Sequence, residues 1–147
     1  MFPTGNWLPL YSYNHQFYLY YPCDFGTNTR YKISQESIIE YGFEEVSLKF
    51  IKATRINSKE FNYKLLNPGT GKIIDWTFHL IDNKKGIAVL ETGPKHARNF
   101  RLLVSAKLMK EFPMIVHECN VKSDEFKFED PNFRTLLENR KQEPKRK

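Results

Sequence analysis

From residue 15 to residue 129 the chain alternates apolar and polar side chains in short segments, with turn residues between them. A period of two puts successive side chains on opposite faces of an extended backbone, so this rhythm constrains the chain to consecutive β-strands. Lys72 to Ile81 shows it best: Ile74, Trp76, Phe78 and Leu80 share one face, and Asp75, Thr77 and His79 share the other. The same reading gives strands over Gln16 to Tyr21, Arg30 to Ser34, Ser37 to Tyr41 and Glu45 to Ile56, then a strand around Phe61, Tyr63 and Leu65. Ile87 to Glu91, Arg98 to Val104, Met114 to Glu118 and Glu125 to Phe128 follow.

Along Glu45 to Ile56 the alternation of Val46, Leu48 and Phe50 drifts at Ile51, which predicts a β-bulge. Asn57-Ser58-Lys59 and Asn67-Pro68-Gly69-Thr70-Gly71 supply turns, because asparagine and glycine accept positive φ and proline fixes it. Ser105 to Glu111 reads as one helical turn or an irregular link. Asp130-Pro131 predicts a short C-terminal helix whose apolar stripe is Phe133, Leu136 and Leu137.

Connections of hairpin length join most of these strands, whereas parallel strands need crossovers of a dozen or more residues. The expected fold is therefore all-β, an up-and-down antiparallel barrel of about 8–10 strands. Closure removes the exposed edges that such a sheet would otherwise present. A barrel of that size is either filled by side chains or holds one small ligand. A chain of 147 residues accommodates one such domain, over 1–139 with the helix included, followed by a basic tail over 140–147.

The tail also accounts for most of the net charge of +6: its sequence RKQEPKRK carries five cations and one carboxylate, leaving +2 for the body. A solvated terminus explains that run without a nucleic-acid partner. No apolar run is long enough to predict a membrane span, and the N-terminus lacks the pattern of an export signal. A cytoplasmic protein is expected, or a secreted or periplasmic one if the natural N-terminus has been trimmed. Cys23 and Cys119 lie far apart without C-x-x-C spacing, so a zinc knuckle or a redox pair is not expected.

Three stretches resemble the lipocalin group of calycin-type barrels. Gly5-Asn6-Trp7 has the G-x-W form that opens the first strand of that family, where the tryptophan plugs the closed end. Leu80 to Leu90 is similar to the family's second motif, an Asp-containing turn between two late strands. Arg101, or alternatively Lys107, stands where a cation packs across the tryptophan in the third motif. The resemblance implies a barrel that binds or carries an apolar ligand.

The residues themselves point the same way. Trp7 to Tyr13, with Phe17, Tyr18, Tyr20 and Tyr21, is the densest aromatic region. Tyrosine offers a ligand both an apolar face and a hydroxyl, although the same rings serve equally to cover a sheet. The candidate ligand-binding set is Trp7, Tyr11, Tyr13, Tyr18, Tyr20, Trp76, Phe78 and Arg101, with no catalytic residue, metal or cofactor expected.

His79 and Asp75 are i and i+4 on a strand, roughly 13 Å apart by strand rise, too far for a direct dyad. His15, His79, His96 and His117 have no metal-site spacing. Glu44-Glu45, Asp124-Glu125 and Glu129-Asp130 read as turn charges, or as carboxylates facing across a cleft. No nucleophile elbow or phosphate loop is present.

Three functions follow from these observations: a non-enzymatic barrel for a small apolar or aromatic ligand, a protein-interaction module of the inhibitor or immunity type, and an enzyme with acid/base groups in the barrel. A ligand-sized internal cavity lined by Trp76, Phe78 and several of the N-terminal tyrosines supports the first. An exposed aromatic patch supports the second, and perturbed titrating groups support the third.

Overall fold

The computed structural model describes residues 2–22, 28–117 and 126–141. Eleven strands are present among them: β1 Gly5–Pro9, β2 Tyr11–Tyr13, β3 Gln16–Tyr21, β4 Arg30–Ile33, β5 Ser37–Tyr41, β6 Glu45–Asn57, β7 Glu60–Leu66, β8 Ile73–Asp82, β9 Ile87–Thr92, β10 Asn99–Ser105 and β11 Met114–Val116. A 3₁₀ segment, Ala106–Glu111, and helix α1, Phe133–Lys141, complete the order. Eight strands close into an antiparallel barrel in the order β1-β10-β9-β8-β7-β6-β5-β4.

Seven of them, β4 to β10, follow one another around the ring as the hairpin-length connections require. The eighth is β1, which pairs with β10 (Trp7 opposite Ser105) and with β4 (Trp7 opposite Tyr31) and so joins the two ends of the sheet. The expected bulge is where the polarity drifts, a register shift between Phe50 and Lys52. It switches the inward parity of β6: Val46, Leu48 and Phe50 pack on the core before it, and Ala53 after it.

The antiparallel barrel expected from the sequence is present, but Gln16–Tyr21 and Met114–Val116 are not part of it. β2, β3 and β11 form a separate three-stranded sheet in which β11 runs parallel to β3, with Ile115 opposite Tyr20. The crossover between these parallel strands is the barrel itself. The β2–β3 hairpin turns on Asn14 and His15, both at positive φ, a conformation that asparagine tolerates better than most residues.

Two further expectations need correction. Phe126 to Phe128 forms no strand ladder, and beside it only Glu129 bridges to Ser12. The cap of α1 is Asn132, whose Oδ1 accepts the Thr135 amide at 3.1 Å, rather than Asp130. The helix reaches Lys141, two residues into the stretch read as tail. Cys23, Cys119, Asp124, Glu125 and residues 142–147 lie outside the described residues.

Two apolar clusters result. The first fills the barrel with Trp7, Tyr31, Ile33, Phe61, Tyr63, Trp76 and Phe78 among its members. The second lies between the outside of β1, β9 and β10 and the covering elements, where Leu10, Leu19, Val89, Leu102 and Val104 meet Phe133, Leu136 and Leu137 of α1. Each such side chain, fully buried, contributes about 1.5–3 kcal/mol.

The turn from β8 to β9 ends on Gly86, at φ +70°, where an added Cβ would lie 2.7 Å from the Leu108 side chain of the 3₁₀ segment. Gly86→Ala is expected to lower stability by about 1–2 kcal/mol, the usual cost of an L-residue in the left-handed region. Urea denaturation checks this, and an unchanged midpoint would show that the turn relaxes freely.

Candidate functional site

The structure divides the candidate ligand-binding residues between the barrel core and the outer sheet, and brings only Tyr11 and Arg101 together, with Phe128, in a cleft of about 400 Å³. Trp7, Trp76 and Phe78 belong to the barrel core, with Trp7 edge-on to Phe78 at 4.8 Å and Trp76 edge-on to Tyr31 at 5.9 Å. Tyr11, Tyr13, Tyr18 and Tyr20 share one face of the outer sheet, as the pairing of Tyr11 with Tyr18 and of Tyr13 with Gln16 dictates. There Tyr11 and Tyr20 pack with Phe128 at 4.6 and 5.0 Å, and the Tyr20 hydroxyl accepts the Phe126 amide at 3.1 Å. Arg101 stands opposite Leu90, four residues before Ser105 on β10. That separation is about 13 Å of strand. Lys107, by contrast, lines a cavity with Trp7.

That cavity, of about 520 Å³, opens at the Trp7 end of the barrel. Its apolar lining is built from Trp7 and Phe61, both part of the barrel core, with Phe2 and Leu80 packed against that core. Phe2 rests on Phe61 and Tyr63 with ring centres 5.5 and 6.1 Å away. Its segment is pinned where the Trp7 indole N–H donates to the Pro3 carbonyl at 3.3 Å. Leu108 and Gly86 line the same space, as do Ser58, Asn83 and Ser105. Arg55 and Lys107 are its two cations, and no carboxylate lines it.

Arg55 comes to this site because of the bulge. It pairs with the inward-facing Phe61, so it stands on the lumen side of β6 at the strand's exposed end. The chain-wide alternation, read without the bulge, puts Arg55 on the solvent face. Lys107, the alternative cation of the third lipocalin-like motif, lines the same cavity as Trp7. Phe2 carries no strand pattern around it and does not signal this pocket in the sequence.

Elsewhere in the barrel core, the Tyr63 hydroxyl is buried without a hydrogen-bond partner, and that of Tyr31 is buried with Glu40 as its nearest acceptor, on the neighbouring strand. Burial pushes both phenols far above their ordinary range; for Tyr31, nearby Arg101 opposes the shift and the charge and hydrogen bonding of Glu40 add to it. Both therefore stay protonated at neutral pH. They are donors rather than nucleophiles.

A polar network occupies the outer wall of β7, β8 and β9. His79, buried at 5% exposure, stands between Glu60 at 3.4 Å and Glu91 at 3.2 Å. Arg98 donates to Glu91 Oε2 at 2.8 Å, to the Asp75 carbonyl at 3.0 Å and to the Gly93 carbonyl. Asn62 donates to Asp75 Oδ1 at 2.8 Å. His79 and Asp75 thus belong to one network through Arg98 and Glu91, without touching. Each member is tied to neighbouring strands, and among the described residues no cluster suited to a metal ion is present.

Comparison with protein-family models, curated proteins and solved structures returns no match. The closed eight-stranded antiparallel barrel is compatible with a calycin-like architecture. No helix among the described residues is long and apolar enough to cross a membrane.

Burial pushes the Glu91 carboxyl up, but the hydrogen bonds and charges of Arg98 and His79 outweigh it and hold the group below its usual range. A depressed carboxyl stabilises the fold above the unfolded value of about 4.3, and that contribution is lost as pH falls through the lower folded value. Glu91→Gln should therefore cost about 2 kcal/mol at pH 7, the scale of a charge-assisted hydrogen bond, and less as the medium is acidified. Urea denaturation of both proteins at pH 7 and pH 3 measures it. A penalty equal at the two pH values would rule the assignment out.

Proposed function

We propose that this barrel binds a small apolar or aromatic ligand in the cavity at the Trp7 end and has no catalytic role. The observation that carries the proposal is that two barrel-core rings, Trp7 and Phe61, line this cleft of about 520 Å³ with polar groups beside them. Clefts of about 400, 580 and 510 Å³ elsewhere are lined by at most one ring of that core, and the expected Trp76, Phe78 and tyrosines do not line this one. A largely apolar concave site with a few placed polar groups is the usual form of a small-molecule site, and 300–1,000 Å³ its usual size. The lipocalin-like reading of Gly5-Asn6-Trp7 agrees with a binding role. The location differs, because in that reading the tryptophan closes its end of the barrel, whereas here it floors the proposed site.

The perturbed groups argue against the enzymatic alternative. Tyr31 and Tyr63 are held neutral, and the network around His79 is locked by hydrogen bonds on the outer wall, away from this cavity. A neutral naphthalene-sized probe, N-phenyl-1-naphthylamine, is expected to bind one to one with a Kd of order 10–100 μM, from roughly 250 Å² of apolar burial. The Trp7 indole N–H resonance should shift on titration while that of Trp76 moves less. Absence of saturable binding, or shifts confined to Trp76, would overturn the proposal.

A second reading, a protein-interaction face, draws on a different observation. Tyr21, Met114 and Val116 are exposed at 49%, 51% and 59% along β3 and β11, a concentration of apolar surface of the kind that marks interaction sites. Met114→Lys with Val116→Lys should abolish co-purification of any stoichiometric partner from the native host and leave the fold intact by circular dichroism. Unaltered capture by this variant removes the reading.

A further inference from the structure

The cavity at the Trp7 end has a charge pattern that its apolar floor does not require. Arg55 and Lys107 line it, Ser58, Asn83 and Ser105 supply uncharged polar atoms, and neither aspartate nor glutamate is among its lining residues. Beyond Asn83 the same turn continues into Lys84 and Lys85, both exposed. The carboxylate in this turn, Asp82, accepts the Lys85 amide at 3.0 Å and is occupied in holding the turn. On the outer wall, by contrast, Arg98 is paired with Glu91 and Asp75.

The inward placement of Arg55 sharpens the contrast. Arg55 stands on the lumen parity of its strand, opposite Phe61, and is itself exposed at the mouth of the cavity. A guanidinium presents donors in a planar fork that suits carboxylate, sulfonate and phosphate oxygens. Its Nε donates to the Asn57 carbonyl at 3.4 Å, which anchors the side chain near the turn.

We infer that the ligand of this cavity is an amphipathic anion: an apolar, ring-sized body lying on Trp7, Phe61 and Leu80, with one negatively charged head group at Arg55 and Lys107. The inference rests on the binding role proposed above and specifies the chemical class of ligand. The head group is named by its shared chemistry, a compact oxyanion, and the probes below separate carboxylate from phosphate.

The test is calorimetric titration of the full chain with 2-naphthoate, 2-naphthyl phosphate and the uncharged isostere 2-naphthamide, at low and at 0.5 M salt. Both anions are expected to bind about tenfold more tightly than the amide at low salt, with the margin shrinking at high salt as the cations are screened. A larger margin for the phosphate than for the carboxylate assigns the head group to the phosphate class, and the reverse to the carboxylate class.

In the Arg55→Gln, Lys107→Gln double variant the three affinities should converge, and an unchanged urea midpoint reports that the fold is intact. Equal affinities for the amide and both anions in the parent protein would overturn the charge assignment and leave the binding role standing. A preference that survives the double variant would overturn it as well. Failure of all three probes to bind would remove the binding role and this inference together.

Discussion

Main-chain pairing of one short strand on both its edges holds the barrel shut. Gly5 to Pro9 lies between β10 and β4, with Trp7 opposite Ser105 on one side and Tyr31 on the other. Without that strand, β4 and β10 would be open edges of a seven-stranded sheet, exposed to pairing with other chains. With it, every barrel strand has two neighbours. The same residue that sits at the centre of this seam, Trp7, turns its ring inward onto Phe78 and floors the cavity. Closure and the proposed binding site therefore depend on the same few residues.

The interior and the outer wall solve different problems. Inside, rings from β1, β4, β7 and β8 pack edge-on or tilted against one another, and space remains at the Trp7 end. Outside, one flank is apolar and is covered by the outer sheet and α1, while another carries His79, Glu60, Glu91, Arg98 and Asp75. A buried histidine between two carboxylates is costly unless its partners are themselves held. Arg98 holds one of them and ties the loop at Gly93 to β8 and β9. The network is thus a clamp between strands, and its titrating groups need no substrate to account for them.

The buried Tyr63 hydroxyl sits less comfortably. A phenylalanine at position 63 would fill nearly the same volume without a buried polar atom, and an unmet hydroxyl costs about 1–3 kcal/mol. Phe2, which rests on Tyr63 and also lines the cavity, separates that space from the Tyr63 ring.

Much of the fold was legible because it depends on local alternation. The inward face of β8, the turn at Asn67 to Gly71 and the bulge at Ile51 each follow from a few adjacent residues, and each stands where the polarity pattern put it. The parallel pairing of β11 with β3 was not legible, since it joins segments some ninety residues apart whose own patterns say nothing of each other. For the same reason the four tyrosines of β2 and β3 looked like lumen residues when they belong to an outer sheet. The site was legible only in part. The bulge expected at Ile51 reverses which β6 side chains face inward and so carries Arg55 to the core side of the wall, but nothing local brings Phe2 to it. The amino-acid order alone determined that the chain would make paired strands and where most of them turn. Only the closed three-dimensional ring decided which aromatic residues meet and which cations stand beside them, because those contacts come from register across the barrel, a long-range property that no short window of residues contains.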